Sequence, residues 1–247
     1  MPEHQTPGQR RRSEQLRASP ALFDSPMLDR LTRVHPIVPL VLFGPVVAGL
    51  MAWGVVGGLG AWALAWGAFG YLLWTLTEYW LHRVVFHFEP EAGIGRRLHH
   101  LIHGVHHDHP NDSRRLVMPP SASIPLASGF CLAFYLVFGD PTWRGVAAGF
   151  LAGYVVYDTV HYLVHHRVPR GRLGRLLRER HLRHHFQDHT RGFGVSAPYW
   201  DFVFGTAAVR RREPGTADSA GAPVVSGGRA AGLRRGLTAM RAVHRRG

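Results

Sequence analysis

The chain has 247 residues and a formal net charge of +13, and every one of its 29 basic residues is an arginine. Its single cysteine excludes a disulfide framework and any site built from several cysteines. Long uncharged runs alternate with charged segments, which argues against an ordinary soluble domain. The arginine excess would suit nucleic acid, an anionic membrane surface or an acidic protein.

The N-terminal half predicts a cytoplasmic segment followed by two membrane spans. Residues 1–36 are polar and rich in arginine, whereas the 41 residues from 37 to 77 lack any charged side chain. As a helix this run would be roughly 62 Å long, about twice the ~30 Å of bilayer hydrocarbon. We therefore predict spans at about 37–57 and 60–82, with the turn at Gly57, Gly58 and Gly60.

A second pair of spans is predicted at about 119–139 and 144–166, joined by a short turn. Pro119, Pro120 and Pro125 crowd the start of this pair, so a re-entrant or interfacial segment is an alternative there. Beyond residue 206, residues 207–247 are rich in Arg, Gly and Ala and predict a basic, disordered tail.

The distribution of arginine predicts the orientation. The two short turns between paired spans contain only Asp140 and Arg144, whereas arginines crowd the other side. The positive-inside rule then places both termini and the central loop in the cytoplasm. We predict an all-α, multi-pass integral membrane protein with four transmembrane helices and a cytoplasmic, histidine-rich helical cap. Membrane contact accounts for the arginine excess, so no nucleic-acid partner is expected.

The histidines are the residues that indicate a functional site. Fifteen of the 18 histidines lie between His82 and His189, in the motifs HRVVFH, HGVHH, HYLVHH and HLRHH. The predicted topology places all four motifs at the cytoplasmic ends of spans or in cytoplasmic segments. The predicted metal ligands are His82, His87, His103, His106, His107, His161, His165, His181, His184 and His185.

The spacing within these motifs predicts how the rings converge. Residues three or four apart share a helix face, so HGVHH and HLRHH are each expected to direct three imidazoles at one point. His161 and His165 form a further pair. His82 and His87 are about 140° apart on a regular helix. They converge only if the helix bulges there.

Ten imidazoles exceed the coordination of one ion and suit two neighbouring metals with four or five ligands each. Such ligands fit iron, zinc, copper or nickel and do not choose among them. We expect the flanking histidines to be supporting or structural groups: His99, His100, His109, His166 and His189. Candidate partners for the second ring nitrogens are Glu78, Asp158, Asp188 and Asp201.

Four stretches of residues 78–206 resemble the fatty acid hydroxylase branch of the integral-membrane di-iron superfamily, which also contains sterol desaturases. They are EYWLHRVVFH, LHHLIHGVHHDHPNDSRRLVMPP, YDTVHYLVHH and HLRHHFQDHTRGFGVSAPYWDFVFGT. The resemblance implies that residues 37–206 form a membrane di-iron hydroxylase domain. It also implies two iron ions on the ten histidines, with zinc as their expected substitute in purified protein, and no catalytic residue beyond these ligands.

The implied reaction is an O2-dependent monooxygenation at C2 of a fatty acyl chain that lies in a membrane-accessible groove. Family members often carry a fused b-type cytochrome, for which residues 1–36 are too short. We therefore expect a separate electron donor, a ferredoxin or a b-type cytochrome, attracted to the basic cytoplasmic face.

Three alternatives stay open at this stage. A carotenoid or sterol hydroxylase or desaturase of the same superfamily would carry similar motifs. A membrane metal transporter or store would need ionisable residues along its spans, whereas the first two spans have none before Glu78. A membrane haem protein would need paired histidines at matching depths within the bundle, instead of at the cytoplasmic edge.

Overall fold

The computed structural model describes residues 6–208, and this range contains helices and no strands. The prediction of an all-α fold is confirmed for this part of the chain. All but the first two residues of the predicted basic tail lie outside the described range.

Two short helices precede the first long one: α1 (Pro7–Arg17) and α2 (Pro26–Leu31). The segment that carries them is attached to the loop after the HGVHH motif, since the backbone N–H of Val34 donates to the carbonyl of Arg114 at 2.7 Å. This attachment brings the N-terminal segment close to the histidine-bearing part of the fold.

The long uncharged run folds into a helical hairpin. Helix α3 (Val38–Gly54) ends in a π-turn (Val55–Leu59) that is closed by the bond from Gly60 N–H to the Val55 carbonyl and has non-helical dihedrals at Gly57 and Gly58. Helix α4 (Trp62–Trp80) then runs back. Gly58 and Gly60 have φ values of 114° and 53°, in the region that favours glycine. The chain therefore reverses at the glycines that the sequence indicated.

Short helices follow α4 and carry the first two histidine motifs. A second π-helical turn (Leu81–Phe86) extends α4. Helix α5 (Gly93–His99) passes through a third π-helical turn (His100–Gly104) into α6 (Val105–Asp108). The histidines therefore lie on helical segments that are wider than a regular α-helix at two places.

A second hairpin consists of α7 (Pro120–Phe138) and α8 (Thr142–His166). Helix α7 is continuous although Pro125 lies inside it. The chain turns at Gly139, which has a φ of 67°. Two further helices complete the described range: α9 (Arg172–Phe186) and α10 (Tyr199–Val203).

Helix α8 is the central element and packs against α3, α4 and α7. Its closest approach is to α4, where a Cβ built on Gly149 would lie 1.8 Å from the carbonyl oxygen of Gly67. A Cβ on Gly70 would lie 2.0 Å from the carbonyl oxygen of Val146. Small residues permit this close approach of helix backbones, as they do in membrane bundles.

Two helical stretches are long and apolar enough to cross a membrane, Val38–Leu59 and Pro120–Phe138. The other two predicted spans, α4 and α8, are not among them. Helix α8 is largely buried, whereas α4 exposes one side, and each contains a buried acidic residue, Glu78 in α4 and Asp158 in α8. These residues lower the mean hydropathy of α4 and α8.

Candidate metal centre

The HRVVFH motif occupies the π-helical turn that ends α4. The backbone N–H of His87 donates to the carbonyl of His82 at 3.2 Å, which is the i to i+5 bond of a π-helix. This wider turn brings the two rings to the same side, with their centroids 5.0 Å apart. The bulge that the five-residue spacing required is present.

The ten histidines singled out by the sequence lie together in two groups of five. Within each group, the candidate ligand atoms are all within 4.8 Å of one another. The first group contains His82, His87, His103, His107 and His184. The second group contains His106, His161, His165, His181 and His185. The groups adjoin, since the ring centroids of His107 and His185 are 4.2 Å apart.

Each HxxHH motif divides its rings between the groups, and the expectation that all three would meet at one point is wrong. His103 and His107 belong to the first group, but His106 belongs to the second. In HLRHH the outer two histidines belong to the second group and the middle one to the first. The reason is helical geometry: the outer pair is about 40° apart, whereas the middle residue is about 60° to 100° away from them.

The spacing of the ring nitrogens fits metal ions. Neighbouring Nε2 atoms within and between the motifs are 2.8–3.3 Å apart. Two imidazole nitrogens at right angles around an ion, each about 2.0–2.1 Å from it, would be about 3 Å apart. An all-imidazole donor set of this size suits iron, zinc, copper or nickel.

Backbone carbonyls orient two of the rings. The Nδ1–H of His82 donates to the carbonyl of Phe193 at 2.6 Å, and that of His184 to the carbonyl of Arg191 at 2.8 Å. Because a carbonyl only accepts, the proton of each neutral ring lies on Nδ1, and Nε2 keeps its lone pair for a metal.

Two of the four carboxylates expected to bond to the rings bond instead to the loop that supports the His82 ring. Glu78 accepts from the backbone N–H of Ser196 at 2.8 Å, and also from its hydroxyl. Asp201 accepts from the backbone N–H of Phe193 at 2.9 Å. Both carboxylates therefore hold the loop whose Phe193 carbonyl accepts from His82, and neither bonds to a ring itself.

The other two carboxylates also accept from backbone N–H groups and not from the grouped histidines. Asp158 accepts from the backbone N–H of Met118 at 3.4 Å, and Asp188 from that of Thr190 at 3.0 Å. The prediction of direct carboxylate–imidazole pairs is therefore wrong for the ten grouped histidines. Partners supplied by the backbone take this role for His82 and His184.

The five flanking histidines lie outside both groups: His99, His100, His109, His166 and His189. The Nδ1–H of His109 donates to the carbonyl of Gln15 at 2.6 Å. The ring of His166 stacks on Tyr162 with centroids 4.5 Å apart. These contacts of His109 and His166 are structural ones, and a supporting or structural role for His99, His100 and His189 stays a prediction.

Burial keeps the grouped imidazoles uncharged. It lowers the pKa of His87 to about 3 and that of His184 to about 4. Burial also holds the pKa of His103 well below its usual value. At neutral pH these rings are neutral, and a neutral imidazole is the form that binds a metal.

An apolar cavity of about 460 Å³ reaches the histidines. Its wall includes His103 from the first group and His106 and His161 from the second. Phe130 and Phe150 line it deeper in the bundle. The volume lies within the range of small-molecule sites, and an apolar ligand in this cavity would contact both histidine groups.

The loop that supports His82 leaves only a weak trace in the sequence. A carbonyl acceptor such as that of Phe193 is independent of the side chain, so sequence cannot reveal it. The glycines beside it are the available signal. Gly192 has a φ of 81°, and a Cβ on Gly194 would lie 2.4 Å from the carbonyl oxygen of Ala197.

Asp201→Asn should weaken the centre without touching a ligand. Asp201 is 1% exposed and accepts from the backbone N–H groups of Phe193 and Gly194 and from the hydroxyl of Thr206. The amide provides one acceptor oxygen in place of two, so the loop and the His82 ring lose their orientation. We expect metal affinity or turnover to fall by about 10- to 100-fold.

The measurement is metal content after dialysis at graded chelator concentration, together with turnover. Glu179→Gln is the matched control because Glu179 is exposed on α9 and, among residues 6–208, forms an ion pair with Arg183 alone. Equal metal retention by the two variants would contradict the role given to Asp201.

Comparison with known proteins places these features in a family. Residues 67–206 match the family described as fatty acid hydroxylase. A dihydroceramide fatty acyl 2-hydroxylase of Arabidopsis thaliana is 42% identical over 139 residues, which are 56% of this chain and 59% of that protein. A ceramide very long chain fatty acid hydroxylase of Saccharomyces cerevisiae is 44% identical over 56% of this chain and 36% of its own length.

The fatty acid 2-hydroxylase of Homo sapiens is 39% identical over 56% of this chain and 38% of its length. A solved structure described as full-length scs7p, with only the hydroxylase domain visible, has a TM-score of 0.68 at 38% identity. It covers 73% of this chain and 69% of that one. The chain spans less than two thirds of the curated relatives it matches, but the family match itself covers more than half of the chain. The chain therefore belongs to the fatty acid hydroxylase family.

Proposed function

We propose that this protein is a membrane di-iron monooxygenase that hydroxylates a fatty acyl chain at C2. The observation that carries the proposal is the apolar cavity of about 460 Å³ whose wall includes histidines of both groups. The names of the relatives, several of them fatty acid or fatty acyl 2-hydroxylases, support the choice of reaction and of position.

In this proposal, each histidine group holds one iron ion through its Nε2 atoms. The adjoining groups, with imidazole rings 4.2 Å apart, support a pair of ions instead of two isolated ones. When bound, the iron pair supplies the O2 reduction and C–H hydroxylation chemistry. Zinc is expected to compete for the same rings in purified protein, because imidazole ligands suit it equally well.

The chain's own residues position the substrate and exclude water. The apolar wall around Phe130 and Phe150 holds the acyl tail, which leaves C2 near His103, His106 and His161. Position matters because a misplacement of about 1 Å can cost about a hundredfold in rate. Burial of the rings keeps water away from the reacting carbon.

The reaction also needs electrons. One oxygen atom of O2 enters the C2–H bond and the other leaves as water, so each turnover takes two electrons and two protons from outside the substrate. We propose a separate ferredoxin or b-type cytochrome as the donor. Exposed arginines on α5 and α9, such as Arg96, Arg97 and Arg175, would attract an acidic partner of this kind.

The membrane arrangement forms part of the proposal. Helices α3, α4, α7 and α8 would cross the bilayer, with residues 37–206 as the catalytic domain and both termini and the histidines cytoplasmic. In a Cys131→Ser background, Val56→Cys in the first turn should react with an impermeant maleimide in intact cells. Ser113→Cys, in the loop after HGVHH, should react only after permeabilisation. The reverse pattern would overturn the orientation.

The reaction is tested by supplying membranes that contain the protein with a 2,2-dideuterated fatty acid under ¹⁸O-labelled oxygen. We expect a 2-hydroxy product that keeps one deuterium and carries the label in its hydroxyl group. A product that lacks the label, a double bond in place of the hydroxyl, or no change in the acyl chain would each contradict the proposal.

A further inference from the structure

One wall of the cavity comes from outside the region matched to the family. Residues 19–33, here named the N-terminal strap, precede the match, which begins at residue 67. Leu22 and Thr32 of this strap line the cavity together with Arg115. The strap therefore closes part of a cavity whose other walls come from residues 74–161, inside the matched region.

A buried guanidinium attaches the strap to the loop after HGVHH. The side chain of Arg115 is 3% exposed. Its Nη2 donates to Asp29 at 2.6 Å, its Nε donates to the hydroxyl of Thr32 at 3.2 Å, and its Nη1 donates to the carbonyl of Pro20. All three acceptors belong to the strap, so Arg115 is the main polar link between the strap and the loop.

Asp29 forms the other half of this link. Its carboxylate accepts from Arg115, from the Nε of Arg33 at 2.9 Å and from the backbone N–H of Leu22 at 2.8 Å. Removing one partner of a buried ion pair is strongly destabilising, because the other charge stays buried without compensation. Asp29 is therefore the residue whose loss should free the strap.

The strap lies at the polar end of the cavity. Leu116 and Val117, which directly follow Arg115, pack in one cluster with Tyr162 of α8, the residue after His161. This part of the chain therefore lies at the level of the histidines. Phe150, at the apolar end, precedes His161 by eleven residues, or about 16 Å along the helix. An acyl chain with its tail at Phe150 and C2 near the histidines would have its carboxyl end beside Arg115.

We propose that Arg115 and the strap form the subsite for the substrate's carboxylate, so that the enzyme accepts a free fatty acid in preference to an acyl chain carrying a bulky headgroup. This inference rests on the proposed hydroxylation. Arginine has five N–H donors, and the described residues engage three of them. One donor on Nη1 and one on Nη2 remain for carboxylate oxygens, while Leu22 and Thr32 occupy the cavity wall beside Arg115.

The test compares kcat/KM for a free fatty acid and for a ceramide with the same acyl chain, using the full chain in lipid nanodiscs with a reducing system. The wild type should prefer the free acid. In Asp29→Ala that preference should fall by at least about tenfold as the strap opens. Arg115→Gln should raise KM for the free acid by about 10- to 100-fold, with a smaller change for the ceramide.

Asp24→Asn is the matched control, since Asp24 lies in the strap but is exposed. Its preference should equal that of the wild type. A wild-type preference for ceramide would overturn the strap proposal and leave the hydroxylation standing. So would an unchanged preference in Asp29→Ala that retains its metal.

A binding measurement separates the strap proposal from the proposed reaction. Trypsin can cleave after Arg30 and Arg33 within the strap. A free fatty acid should slow this cleavage, whereas its methyl ester should not, because the ester lacks the charged carboxylate. This result would support the subsite even if the wild type hydroxylated neither substrate, in which case the proposed function alone would fail. Equal protection by acid and ester would overturn the subsite.

Discussion

His103→Ala and His106→Ala are each expected to remove one metal ion and to abolish turnover, although the two residues belong to one motif. His103 belongs to the first group and His106 to the second. Each variant should therefore keep the ion of the other group, so metal content should fall from about two to about one per chain. Turnover should fall by more than about 10- to 100-fold, which is the usual cost of removing a residue that only hydrogen-bonds to a metal ligand.

Metal analysis and Mössbauer spectra of protein from iron-supplemented membranes would check this expectation. Each single variant should show the signal of one remaining ion. His100→Ala is the matched control, since His100 is exposed, adjacent in sequence and outside both groups. The division of the motif would be refuted if His100→Ala lost as much metal as the others, or if either ligand variant kept both ions.

Gly149→Ala is expected to destabilise the protein by about 3 kcal/mol, although alanine is otherwise the better helix former. The added Cβ would lie 1.8 Å from the carbonyl oxygen of Gly67, so α8 and α4 would have to move apart. Overpacking of a well-packed interior costs about 1–3 kcal/mol, and sometimes more. Because α8 carries His161 and α4 leads into His82, the variant should also lose metal.

Gly129→Ala provides the opposite expectation within the same bundle. A Cβ on Gly129, in the middle of α7, would meet nothing within 4 Å. There the replacement should leave stability unchanged or raise it by about 0.5–1 kcal/mol, the usual gain from glycine to alanine in a helix. Thermal unfolding in detergent and iron per chain would measure both variants. Equal melting temperatures for the two variants would show that α4 and α8 are farther apart at Gly149 than in the structure.

Local patterns determined much of this protein. Histidines at intervals of three and four on helices identified ten residues, and the structure gathers those same ten into two groups. The five-residue gap between His82 and His87 required a bulge, which the π-helical turn supplies. Glycine conformational freedom identified the turn at Gly58 and Gly60. Each of these inferences depends on residues close together in the chain, where helical geometry alone relates them.

Tertiary structure decided what depends on distant segments. Helical geometry divides each HxxHH motif, but the packing of the helices decides which histidines of the other motifs join each part in one group. The carbonyl of Phe193, which accepts from His82, lies in a loop 111 residues away in the chain. Because backbone acceptors are the same for every residue, composition cannot predict them. The position of the strap over the cavity likewise depends on the ion pair between Asp29 and Arg115, which are 86 residues apart in the chain. Local sequence spacing cannot predict such a contact.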